Sequence, residues 1–202
     1  MPPLSPEQIA DRKNGIGASE AACLVGEGFL TLMELWELKT GRRAEAKTNP
    51  MFERGHRLEP LVLAHYAGRH PHSLVVEPDP QTGIHPEHPW ARASPDGLML
   101  TTEGDLHGLE AKSVGLGGRR FWRDGYPVKV FLQCQWSMAV WGLPRWDLAA
   151  LFEGPKDIWE TYGEWTIDRD DELIEMLLAA GGRFWKNNVE ADRAPRRQRS
   201  RI

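Results

Sequence analysis

The chain is short of cysteine, of long apolar runs and of net charge, and each shortage removes a class of function. Its only two cysteines, Cys23 and Cys134, stand far apart in no ligand spacing. That excludes a disulfide framework and a zinc motif, and leaves two small buried residues suited to a reducing compartment. No apolar stretch approaches the roughly 18 residues that span a bilayer. The Met1-Pro2-Pro3-Leu4-Ser5 start lacks the basic and apolar regions of a signal peptide, so a cytoplasmic protein without membrane contact is expected. A formal net charge of −4 argues against coating nucleic acid by overall attraction. Internal repeats and long low-complexity linkers are also missing, which points away from solenoids and multi-domain strings.

What is present fits one soluble α/β domain. The 202 residues are 41% hydrophobic and 27% charged, enough to bury a single core. The expected organisation is one domain over 1–192 and a basic tail over 193–202. In that tail Arg193, Arg196, Arg197, Arg199 and Arg201 form either a solvated terminus or a phosphate-contacting one. Ser5 to Arg12 reads as a short capped helix, Ser19 as the cap of a second, and Thr31 to Gly41 as a third. Leu58, Leu61, Val62 and Tyr66 recur at helical spacing, so Met51 to Tyr66 is a helix that begins or kinks at Pro60. Ser73–Glu77, Trp90–Leu100 and Leu106–Lys112 read as a meander of antiparallel strands. A helix over Val128–Trp141, a strand over Asp147–Phe152 and a last helix from about Asp170 to Asn187 complete the order. This order sets the second and third meander strands side by side near the middle of one mixed sheet flanked by helices.

The chemistry-bearing charges fall there. Ser94-Pro95-Asp96-Gly97 interrupts one strand, and Leu109-Glu110-Ala111-Lys112 places two charges at i and i+2 on the next. Alternation puts Glu110 and Lys112 on one face. Neighbouring strands lie roughly 5 Å apart, so Asp96 comes close enough to Glu110 for both carboxylates to share a cation. Mg²⁺, with Mn²⁺ as a substitute, suits such a set because it takes oxygen ligands, keeps waters and contacts a substrate phosphate. The Ala111 carbonyl adds a further oxygen, and Glu59 would hold water or a second ion from the helix side. Lys112 is suited to position or help deprotonate the attacking water. An isolated Glu-x-Lys is usually a solvated cross-strand pair. Pro-Asp followed by Glu-x-Lys, with a helical Glu upstream, is far more specific.

That combination resembles the PD-(D/E)XK nuclease superfamily, and the flanking residues narrow it. Gly15–Glu20, Arg54–Glu59, Ala93–Gly97, Gly108–Lys112 and Gln133–Met138 are similar, in order and spacing, to the motifs of the YqaJ and lambda exonuclease family of phage recombination nucleases. The resemblance covers roughly 12–152. It implies a restriction-endonuclease-like α/β fold and Mg²⁺ on Asp96 and Glu110. It also implies that Lys112 is catalytic, Glu59 the helical acid, and Gln135 at the active site. Arg12, Ser19 and Ser94 match the family's grip on a 5′ phosphate. A Ser at a helix start beside an Arg makes independent sense for an anion. The resemblance further implies degradation of one strand of linear duplex DNA from a 5′ end to leave a 3′ overhang. It brings a homotrimeric ring, a phage single-strand annealing protein as partner, and a phage or prophage origin in a bacterial host. An endonuclease of the same superfamily, or a non-catalytic DNA-end-binding module, are the alternatives. Ser113-Val114 stands where the family usually has Cys-Pro, and Gly115 to Gly118 reads as a mobile loop or a plain connection.

The nine tryptophans invite a base-stacking role. Trp36, Trp136, Trp141 and Trp185 sit at helical spacing and read as core or subunit interface. Trp122, among Arg119, Arg120 and Arg123, is the candidate for DNA contact. His85 and His88 flank a proline without a third ligand and are not expected to hold metal. His56 and His65 read as partly exposed helix residues.

Overall fold

A computed structural model describes residues 12–44, 50–78, 81–154 and 161–196. All of the expected Ser5–Arg12 helix except Arg12, and most of the basic tail, lie outside them. In chain order the strands are β1 (Ile16–Gly17), β2 (Leu74–Val76), β3 (Gly83–Ile84), β4 (Ala91–Ala93), β5 (Gly97–Leu100), β6 (Leu106–Val114), β7 (Arg145–Phe152) and β8 (Thr161–Asp168). The helices are α1 (Leu32–Lys39), α2 (Pro50–Arg69), α3 (Val128–Trp141) and α4 (Asp171–Phe184), and Ala18–Val25 forms a 3₁₀ helix.

Local chemistry explains the helix ends. Thr31 and Glu34 form a reciprocal capping box at α1, with Glu34 N donating to Thr31 Oγ1 at 3.2 Å and Thr31 N to Glu34 Oε2 at 2.9 Å. Asp170 caps α4 by accepting from Leu173 N at 3.0 Å. α3 ends at Gly142, whose φ of 66° is the left-handed conformation that glycine tolerates. Two expectations need correction. Gly17, not Ser19, is the N-cap of the 3₁₀ helix, so Ser19 falls inside its first turn. α2 runs through Pro60 instead of beginning there. The Pro60 ring is exposed, where water can satisfy the one backbone acceptor that it leaves without a helical donor.

The main sheet has the order β2-β5-β6-β7-β8, with β6 and β7 parallel and the other neighbours antiparallel. β6 is therefore central, and α3 is the crossover between the parallel pair. Alternation divides the two faces. Leu109, Ala111, Ala149 and Leu151 pack with Val62 and Tyr66 of α2, while Trp146 and Leu148 pack with Val130, Cys134 and Met138 of α3. The expected mixed sheet between helices is what the chain adopts. The expected single strand over Trp90–Leu100 is two, because Ser94-Pro95-Asp96 leads the chain from a small sheet, ordered β1-β4-β3, into the main one. β8 was not anticipated, although its Tyr162, Trp165, Thr166 and Ile167 are strand formers.

One contact in this frame sets a sharp packing requirement. Gly108 pairs with Trp146 across β6 and β7, and a Cβ at Gly108 would lie 2.2 Å from the indole ring. Trp146 is fully buried, so it has no space to retreat into. Gly108→Ala is expected to destabilise the protein by about 1–3 kcal/mol. Urea unfolding should show this as a lowered midpoint with unchanged slope.

Candidate active site

The backbone brings the three motif residues together before any side chain is considered. Gly97 pairs with Leu109 in the β5–β6 ladder. Asp96 N then donates to Leu109 O at 3.1 Å, which sets Asp96 opposite Glu110. The Asp96 carboxylate turns back onto the same strand, and Oδ2 accepts from Ala111 N at 2.7 Å. Proline ahead of Asp96 favours the extended turn that this crossing needs. Asp96 is thus held on both sides of Glu110, at the point where the chain passes between sheets.

Glu110 and Lys112 share the face of β6 that looks toward α3. The Glu110 side chain is 4% exposed, and its Oε1 accepts both from Lys112 Nζ and, at 2.6 Å, from Gln133 Nε2. The electrostatics show a site short of positive charge. Burial first, and then the charge of Glu110, hold the Asp96 carboxyl well above its ordinary range, against the pull of Lys112 and the Ala111 N–H. Burial also raises the Glu59 carboxyl; His56, whose Nδ1 lies 3.8 Å from Glu59 Oε2, opposes this and Glu110 adds to it. Burial pushes the Lys112 ammonium down, but Glu110 and Asp96 outweigh it and keep the lysine protonated. Beneath, Cys134 is fully buried and its thiol is pushed up by burial and by Glu110, which makes it inert packing.

Three carboxylates against one ammonium form a set that a divalent cation would complete, and the donors are all hard oxygens. Among the described residues no three His, Cys, Asp or Glu side chains converge closely enough to enclose an ion by themselves. An ion on Asp96 and Glu110 would therefore need further oxygens from the backbone and from water. That is the habit of Mg²⁺ rather than of zinc.

Gln135 does not join them. Two residues along a helix turn about 200° around its axis, so Gln133 and Gln135 face opposite ways. Gln135 is fully buried, donates from Nε2 to Asp168 O at 2.8 Å and accepts at Oε1 from Asp170 N at 2.9 Å. It ties the end of β8 to the cap of α4. The site residue on α3 is Gln133, visible in the same Gln-Cys-Gln segment had the helical phase been set by Cys134 in the core. Gln133→Ala is expected to lower catalytic activity about tenfold or more with little change in melting temperature. Gln135→Ala should cost about 1–3 kcal/mol of stability, because it leaves buried backbone groups unsatisfied. Thermal unfolding run beside an activity assay separates the two.

Two of the residues expected to grip phosphate, Ser19 and Ser94, fall at one end of the small sheet. β1 and β4 are parallel, with Gly17 paired to Arg92, so Ser19 and Ser94 each follow two residues beyond the same rung. Both are exposed, and Ser94 Oγ lies 2.8 Å from Thr82 Oγ1. Ser94 is also two residues ahead of Asp96. The 3₁₀ turn Arg12–Asn14 places the Arg12 backbone just before β1, while its side chain lies outside the described residues. Glu20 accepts from Gly17 N at 2.8 Å and forms a buried ion pair with Lys39, which braces this loop from below. His85 and His88 stack on each other at 4.8 Å in an open groove of about 720 Å³ against α4 that holds none of the residues above. Trp122, expected at DNA, instead packs inward on Phe152 and Trp165 at 5.5 and 5.6 Å. Trp36 and Trp136 are core residues.

A family model described as a YqaJ-like viral recombinase domain matches residues 9–144, which include every residue placed at the site. The chain belongs to that family. A protein named YqaJ from Bacillus subtilis (strain 168) is 30% identical over 196 residues, 94% of this chain, which spans 58% of that protein's length. Among solved structures, the alkaline exonuclease LHK-Exo of Laribacter hongkongensis superposes with a TM-score of 0.76 at 26% identity, covering 93% of this chain and 94% of that one. LHK-Exo has also been solved with dAMP. A phage-related exonuclease of Haemophilus somnus 129PT superposes at 0.61 with 12% identity over 88% of this chain and 96% of that one, a likeness of fold. This YqaJ-family chain thus carries the PD-(D/E)XK arrangement on Asp96, Glu110 and Lys112. No helix among its described residues is long and apolar enough to cross a membrane.

Proposed function

We propose that this chain is a Mg²⁺-dependent exonuclease that removes nucleotides from the 5′-ended strand of linear duplex DNA and leaves a 3′ overhang. The observation that carries the reading is Asp96 pinned across from Glu110, with Lys112 donating to the Glu110 carboxylate from the same face of β6. Bound Mg²⁺, one ion or a pair, would lower the pKa of water and polarise the scissile phosphate. Asp96, Glu110 and the Ala111 carbonyl would hold it, and Glu59 would hold water or a second ion. Lys112 positions the attacking water and stabilises the charge that gathers on the phosphoryl oxygens. Gln133 holds the Glu110 carboxylate in one orientation. Ser19, Ser94 and Arg12 receive the 5′ phosphate, which spaces the next phosphodiester into the site. LHK-Exo, an alkaline exonuclease that has been solved with a nucleoside monophosphate, supports a mononucleotide product. The family resemblance supports a homotrimeric ring around the duplex, in which enclosure replaces the strong phosphate attraction that an acidic chain lacks. It also supports a phage single-strand annealing protein as the recipient of the overhang, in the host cytoplasm.

The test is a time course on linear duplexes with 5′-phosphate or 5′-hydroxyl ends and on closed circles, with Mg²⁺, Mn²⁺ or EDTA. Metal-dependent loss of one strand from phosphorylated ends, with circles spared, is the expected result. Cut circles would move the chain to the endonucleases, and intact DNA with every metal would leave a DNA-end-binding module.

A further inference from the structure

The segment that follows the catalytic strand is neither a loose loop nor a plain connection. Leu116–Trp122 forms a 3₁₀ turn held at several points. Leu116 N donates to Glu153 Oε2 at 3.2 Å, Arg119 to Glu153 O at 3.1 Å, and Glu153 pairs with Arg54 of α2 at 2.7 Å. Trp122 is inserted between Phe152 and Trp165. Phe152 is the ladder partner of Val114, which lies on the Glu110 and Lys112 face one two-residue step beyond Lys112, roughly 7 Å along the strand. The anchored turn therefore borders the site on the side where β6 ends.

Upon this rigid base stands an apolar surface turned to water. Phe121 is 60% exposed and Leu116 52%. The Arg120 guanidinium lies 4.7 Å from the Phe121 ring centroid, a cation–π contact that orients the ring. Arg120, Arg123 and Lys129 are all exposed, against one exposed acid, Asp124. An oriented aromatic face among cations beside a phosphodiester site has the character of a stacking platform for single-stranded nucleic acid. A paired base hides its faces in the duplex, so the base that fits here is unpaired.

We infer that Phe121, oriented by Arg120, stacks an unpaired base of the DNA next to the scissile phosphate and thereby holds the junction between duplex and single strand. This rests on the nuclease reading for the identity of the substrate, and its test runs without catalysis. Duplexes with a 3′ overhang, carrying 5-iododeoxyuridine at one position at a time in either strand, are irradiated with the full-length protein in EDTA, and crosslinked peptides are mapped. Crosslinking to Phe121 from one or two positions at the junction is expected. It should persist in Phe121→Trp and vanish in Phe121→Leu, and Phe121→Ala should weaken binding to a dT oligonucleotide about tenfold. The exposed position makes these substitutions safe for folding, which thermal unfolding checks. Absence of any Phe121 crosslink, or unchanged oligonucleotide affinity in Phe121→Ala, overturns the inference. Wild-type cleavage with Mg²⁺, measured in parallel, separates the two readings: cleavage without the crosslink sinks the stacking role alone, and the crosslink without cleavage sustains it while sinking the exonuclease.

Discussion

Lys112→Ala is expected to lower the rate of strand degradation by about 10³-fold while leaving affinity for duplex ends nearly unchanged. Positioned groups that move protons or stabilise charge in the transition state contribute about 10²–10⁴ each, and binding of the DNA rests on other contacts. The loss should appear in single-turnover rates, with end binding measured separately in Ca²⁺. A structural consequence accompanies it. Lys112 is the cation against Glu110, whose side chain is 4% exposed. Its removal leaves a buried carboxylate with Gln133 as the remaining donor, so the variant should melt several degrees lower than wild type in EDTA. Mg²⁺ should raise its melting temperature more than it raises that of wild type, because the ion supplies the missing charge. An equal Mg²⁺ shift in both proteins would contradict a shared role for the lysine and the ion.

Asp96→Asn is expected to abolish cleavage, by about 10³-fold or more, and yet to stabilise the metal-free protein. Asparagine keeps an acceptor for Ala111 N and removes a charge that burial and Glu110 both oppose. The pH dependence follows from the raised Asp96 value. The folded state holds this proton more tightly than the unfolded chain does. Wild type is therefore most favoured below the ordinary aspartate value and loses stability as pH rises through the raised one. The variant does not titrate there. Its advantage in EDTA should be absent below about pH 4, grow with rising pH, and level off once Asp96 is ionised. Chemical denaturation across that range measures it. A constant difference at every pH would show that Asp96 titrates normally in the folded state.

Gln133 and Phe121 illustrate how far residue patterns reach. Both lie in segments singled out for function, Gln133–Met138 and the arginine-flanked Trp122, and in both the residue named from the sequence, Gln135 or Trp122, packs inward. Spacing names a segment; the phase of a helix or the facing of a turn is set by what packs beneath. Cys134 and Trp122 take the interior positions, which leaves Gln133 to meet Glu110 and Phe121 to face water.

The sequence by itself determined the α/β class, the central helix over Val128–Trp141, and the Asp96, Glu110 and Lys112 set with Glu59 on a flanking helix. These are local properties: strand alternation, capping chemistry and the spacing of charges across one turn. Only the tertiary structure decided that Trp90–Leu100 divides between two sheets, that β8 closes the main one, and which glutamine meets Glu110. It also decided that Ser19 and Ser94 leave the same end of a parallel pair. Those depend on which strands pair and which faces are buried, and pairing between distant segments is settled by the packing of the whole core rather than by any stretch within it.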